Sequence, residues 1–140
     1  MAWAREHGRM PGLTLRALHS AELVDAGERF DLVISNHLLH HLQPAELHGL
    51  LRDSLHLLAS GGLALHRDIA RGRLAYVGFA LATAPLPSTH RRRSFIRADG
   101  LTSIRRSYRR GELTEVVPAG WTVRSAFPAR LELRRERTDD

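Results

Sequence analysis

A chain of 140 residues, 43% hydrophobic and 26% charged, is the right size and composition for one globular domain with a single core. It contains no cysteine, which excludes disulfide frameworks, thiolate zinc sites and cysteine nucleophiles. No apolar run approaches the roughly 20 residues of a bilayer span, and MAWAREHGRM lacks the apolar core of a secretion signal, so a soluble cytoplasmic protein without a membrane partner is expected. All 21 basic residues are arginine; residues 1–70 hold 6 Arg against 8 Asp plus Glu (−2), and residues 71–140 hold 15 against 7 (+8). A basic half suits a nucleic-acid surface, a site for an anionic substrate, or arginines that merely solvate helix faces.

In chain order, AWAREHGR over residues 2–9 suits the end of a helix stopped by Pro11-Gly12. LTLRAL, Leu13 to Leu18, alternates as a short strand, and a polar loop follows through Asp25-Ala26-Gly27. Phe30 to Ser35 contains the unbroken run Leu32-Val33-Ile34, which suits a strand covered on both faces, as in parallel sheets. From Pro44, a residue suited to a first helical turn, Leu47, Leu50, Leu51, Leu55 and Leu58 follow the spacing of one helical face, with Gly61-Gly62 as the expected stop. LALHRDIA, Leu63 to Ala70, is the next strand. Strand, helix and strand make a βαβ unit with parallel strands and a right-handed crossover.

Residues 72–84 form a largely apolar helix ended by Pro85-Leu86-Pro87, and Ser88 to Gly100, with Arg91, Arg92, Arg93 and Arg97, reads as an exposed linker. Asp99 or Thr102 is placed to cap a helix carrying Ile104 and Tyr108, and Glu112 to Val117 adds a further helical turn or two. Trp121 to Phe127 sets Trp121, Val123, Ser125 and Phe127 on one side, and beyond Pro128-Ala129 the alternation resumes from Arg130 to Leu133, an antiparallel hairpin.

The polar group Ser35-Asn36-His37 ends a buried parallel strand, where open α/β sheets bind ligands; capping of a following helix is the alternative. Phe30-Asp31-Leu32-Val33, then Ser35-Asn36-His37 and Leu39-His40-His41-Leu42, resembles the fourth strand and following loop of class I, Rossmann-like methyltransferases that use S-adenosylmethionine on small molecules. Gly61-Gly62 with the strand through Asp68 and Arg71 resembles their fifth strand, and Pro118-Ala119-Gly120-Trp121 with the hairpin resembles their closing element. The fold class implied is α/β: a partial methyltransferase sheet of third to seventh strands, the first two missing, in one partial domain over 1–140.

On that resemblance Leu13 to Leu18 is the third strand, Ser20 and Ala21 form its adenine-side loop, and Ser35, Asn36 and His37 lie at the cofactor. His40 or His41 faces a small-molecule methyl acceptor and takes a proton as the methyl transfers, unless each is only a packed residue. Asp68 and Arg71, on the same rim, orient the acceptor or form a plain ion pair or helix cap. His90 to Arg110 resembles the substrate-covering insert, its arginines suited to a carboxylate or phenolate. The family's glycine-rich loop and the carboxylate ending its second strand have no counterpart, and Ser20 stands where an acidic residue is common, so poor cofactor binding is expected. A truncated copy, a misplaced start codon or a gene remnant follows as the expectation, and Leu13 to Leu18 is left without a neighbouring strand.

Metal is not expected at His37, His40, His41 and His48, because no His-Glu-x-x-His pattern is present and Glu46 is at no matching offset. Two other classes compete with methyl transfer. One is a nucleic-acid binder using the +8 half, against which stands the scarcity of aromatic residues near the arginines beyond Phe95 and Tyr108. The other is a non-enzymatic module that pairs through an open sheet edge. Acceptor identity and oligomeric state are not legible in the sequence.

Overall fold

The structure, a computed structural model, describes residues 11–84 and 95–138. The helix expected over residues 2–9, Pro85-Leu86-Pro87 and Arg91 to Arg93 lie outside the described residues. In chain order come α1 (Ser20–Asp25), β1 (Phe30–Asn36), a 3-10 turn (Leu39–His41), α2 (Pro44–His56) and β2 (Leu58–Ile69). There follow α3 (Arg73–Ala82), α4 (Phe95–Arg106), α5 (Arg110–Val116), β3 (Thr122–Ala126) and β4 (Arg130–Glu136). The class is mixed α/β, with one four-stranded sheet in the order β1-β2-β4-β3. β1 and β2 are parallel around α2, and β4 runs antiparallel to both β2 and β3, so the expected βαβ unit and closing hairpin are both present.

Three helices begin with the same device. A glutamate three residues past the N-cap reaches back to its free N–H: Glu22 to His19 at 2.7 Å, Glu46 to Gln43 at 2.7 Å and Glu112 to Arg109 at 2.9 Å. The carboxylate satisfies a donor the helix cannot use and sits at the positive end of its dipole. Pro44 stands in the first turn of α2, as expected.

Three expectations change. Leu13 to Leu18 forms no strand: Leu13, Leu15 and Leu18 are 49%, 42% and 45% exposed, and the segment is tied instead by an Arg16–Glu28 ion pair of 2.6 Å. An alternating segment without a neighbour has nowhere to place its backbone hydrogen bonds. Gly61-Gly62 is not the stop of α2, which ends five residues earlier with the Leu57 N–H donating to Asp53 O at 2.9 Å. The glycine pair lies inside β2, where pairing jumps from Phe30↔Leu58 to Leu32↔Leu63. Gly61 is left-handed there (φ 70°), and a Cβ on Gly62 would stand 2.9 Å from Ala59 O and 3.1 Å from Phe30 O, so only glycine fits this bulge. Leu58, assigned to the helical face, is therefore a fully buried strand residue.

Finally, the expected linker gives way at Phe95 to the first half of α4, so neither Asp99 nor Thr102 is a cap. Thr102 Oγ1 donates to Ala98 O at 2.8 Å within that helix. α4 packs against α3, and Gly100 lets it approach the Phe79 ring closer than any Cβ would permit. The core lies on one face of the sheet, where Ala64, Val123, Leu131 and Leu133 meet Leu47 and Leu51 of α2, Leu39 of the 3-10 turn and Leu113 of α5. No helix among the described residues is long and apolar enough to cross a membrane.

Candidate functional site

β1 and β2 end side by side, with Asn36 paired to Arg67 and Ser35 to His66, so residues 35–41 and 66–71 share one rim. Strand alternation turns Ser35, His66 and Asp68 to the covered face. At the end of β1 His37 adopts a left-handed backbone (φ 56°), a conformation in which histidine is less penalised than branched residues, while its N–H still donates to Arg67 O at 2.9 Å. The reversal leads into the 3-10 turn, which buries Leu39 and His40.

His40 meets Asp68 twice. Its backbone N–H donates to Asp68 Oδ2 at 2.8 Å and its Nδ1 lies 2.7 Å from Oδ1, which also accepts the Ile69 N–H at 2.7 Å. With the carboxylate accepting, Nδ1 is the donor of this pair, and in the neutral ring that leaves the lone pair on Nε2. Nε2 is buried and has no hydrogen-bond partner among the described residues. Side-chain exposure of 3% for His40 and 4% for Asp68 places this dyad in a low-dielectric setting where it is rigidly held. His41 is exposed, its ring 4.0 Å from that of His40.

One position inward on the same face, His66 Nδ1 lies 2.8 Å from Ser35 Oγ, and its ring is 5.5 Å from Trp121. Burial pushes His66 down to about 4, so it is neutral at physiological pH. Its Nε2 and the Trp121 Nε1 are likewise buried without partners among the described residues. The sequence assigns His66 only to a strand and Trp121 only to the closing hairpin, not to the site. The alternation of LALHRDIA carries the signal for His66, because positions two apart share a face.

The other candidates are dispersed. Ser20 Oγ donates to Asp53 Oδ2 at 2.7 Å and ties α1 to α2, and Ala21 is exposed on α1. Asn36 is exposed at the tip of β1. His37 accepts from the Arg130 guanidinium, and burial together with that cation holds its imidazole below the ordinary histidine range. Asp68 spends its carboxylate on His40 and Ile69. Arg71 is paired with Glu112, whose own acidity is raised chiefly by the Arg109 backbone N–H and further by the Arg71 charge.

Just beyond β2 a pocket of about 330 Å³ opens between α3, α4 and the start of α5. Arg71, Arg73, Arg105 and Arg109 line it, with Val77 and Ile104 as apolar wall and Tyr76 between. Arg105 donates to Tyr76 Oη at 2.8 Å and lies 5.0 Å from that ring's centroid. Among the described residues no group of three His, Cys, Asp or Glu is disposed to hold a metal ion.

For S-adenosylmethionine, the residues present fit one side of a site. The exposed Asn36 amide stands free at the rim, whereas the His37 N–H is bonded to Arg67 O, its ring accepts from Arg130, and the Ser20 and Ser35 hydroxyls are engaged inside the protein.

No protein-family model matches the chain, and no curated protein matches it. A solved structure from work on conversion of a disulfide bond into a thioacetal group during echinomycin biosynthesis aligns with a TM-score of 0.58 at 19% identity, over 98% of this chain and 60% of that one. A crystal structure of a candidate O-methyltransferase from Nostoc punctiforme PCC 73102 aligns with a TM-score of 0.44 at 17% identity, over 79% of this chain and 33% of that one. This chain therefore spans less than two thirds of the length of either. The first likeness shows the α/β fold alone and carries nothing about activity, substrate or cofactor.

Proposed function

We propose that this chain forms the acceptor side of an S-adenosylmethionine-dependent methyl-transfer site acting on a small molecule in the cytoplasm. The observation that carries the reading is the buried His40–Asp68 dyad, with Nε2 of His40 unpartnered at the carboxyl end of two parallel strands. Asn36 and His37 would hold the cofactor's near end. When bound, the cofactor supplies an electrophilic methyl carbon, whose bond to sulfur breaks as the bond to the acceptor's nucleophilic atom forms. His40 Nε2 is enclosed in this structure, so this reading requires the rim at the 3-10 turn to open to the acceptor; His40 then takes the acceptor's proton at Nε2, and Asp68 keeps the ring in the productive tautomer and stabilises the imidazolium that results. His66, neutral and immobilised against Ser35, adds no competing charge beside the dyad.

Titration of the ¹⁵N-labelled 140-residue chain with S-adenosylmethionine tests the reading. Weak binding with amide shifts concentrated at residues 36–41 is expected. Absence of shifts there at millimolar cofactor, or shifts centred elsewhere, would overturn it.

A further inference from the structure

The arginine-lined pocket beyond β2 contains more positive charge than the protein neutralises. Of its four guanidiniums, Arg71 is paired with Glu112 and Arg105 is turned onto Tyr76. Arg73 and Arg109 have neither an ion pair nor a side-chain hydrogen bond among the described residues, no carboxylate is among the residues that line the pocket, and Glu112, paired with Arg71 and accepting the Arg109 backbone N–H, also feels the Arg109 charge. Cations gathered around a concavity repel one another, and a bound anion relieves that repulsion. Guanidiniums also match a carboxylate in planar, two-point fashion. The rest of the lining is not polar: Ile104 is 4% exposed and Val77 lies beside it. Tyr76 Oη accepts from Arg105, which leaves its own proton free to donate into the pocket. A cavity of about 330 Å³ accommodates a single aromatic ring with its substituents.

We propose that this pocket binds an acidic aromatic molecule, with its carboxylate on Arg73 and Arg109 and its ring against Val77, Ile104 and Tyr76. Arg71 is three residues beyond Asp68, so the pocket's edge and the dyad lie within about 11 Å along the chain. Assigning the acidic aromatic molecule as the methyl acceptor rests on the methyl-transfer reading, whereas its capture by the arginines does not.

Calorimetric titration of the chain with 4-hydroxybenzoate, its uncharged analogue 4-hydroxybenzamide and inorganic phosphate, without cofactor, tests the proposal. The carboxylate is expected to bind at least about tenfold more tightly than either the amide or phosphate, because it alone uses both the charge and the apolar wall. R73Q and R109Q are each expected to weaken it by roughly tenfold, while R124Q, which removes an arginine from β3 outside the pocket, changes affinity by less than about twofold. Equal affinity for carboxylate and amide, equal affinity for phosphate, or an equal loss in R124Q would each overturn the assignment. Cofactor shifts at residues 36–41 are read in a separate titration, so either reading can fail while the other stands.

Discussion

The two faces of β1 and β2 meet opposite surroundings. On one face Val33, Ser35, Ala64, His66 and Asp68 lie under α2, the 3-10 turn and Trp121, and the side chains there are half-buried or fully buried. On the other, Leu32 and Ile34 are 52% and 67% exposed, and the surface continues into the Arg67–Glu132 ion pair. An unbroken Leu-Val-Ile run is the pattern of a strand buried on both faces, yet among the described residues only one face is covered. Stability and the proposed chemistry are therefore concentrated on the inner face, because only there are polar groups desolvated and fixed.

Substitutions should expose that asymmetry. Leu133→Ala, at a fully buried position of β4, is expected to cost about 2–5 kcal/mol in urea denaturation. His66 makes the inner face sensitive to acid. Its value falls from 6.5 to about 4 on folding, so the unfolded chain takes up a proton first as pH drops. Stability should be complete above about pH 6.5 and fall by about 3 kcal/mol by pH 4. Denaturation midpoints across that window should slope in the wild type and be flatter in His66→Gln; identical slopes would remove His66 as the cause. Asp68→Asn leaves a buried imidazole donor less well matched and is expected to cost about 1–3 kcal/mol. On the open face, Ile34→Ala should cost less than about 0.5 kcal/mol, and a loss as large as that of Leu133→Ala would show that this face is covered in solution.

What was legible in the sequence follows the range of the forces involved. β1, α2 and the hairpin are declared by local periodicity, because alternation or helical spacing is imposed within a few residues by burial on one side. The role of Gly61-Gly62 is not local: a glycine pair after a leucine-spaced helix has the form of a stop, and only the register against Phe30 and Leu32 makes it a bulge. The start of α4 was hidden for a similar reason, since its support is the close approach of Gly100 to Phe79, and the alternation of Leu13 to Leu18 lacks the partner that would make it a strand. At the site, His40 and Asp68 each stood out as residue types on a rim. Their pairing across 28 residues depends on the left-handed turn at His37, which no spacing announces. The arginine pocket was legible only as an excess of charge in the second half, because its members come together through the packing of α3 on α4.

The central claim is that Asp68 sets His40 to present a base at Nε2, and the tautomer of that one ring tests it most directly. Long-range ¹H–¹⁵N correlation spectra of the histidine side chains at neutral pH should show His40 protonated at Nδ1 and bare at Nε2, with that preference lost in Asp68→Asn. A proton found on Nε2 in the wild type, or a tautomer indifferent to Asp68, would contradict the account.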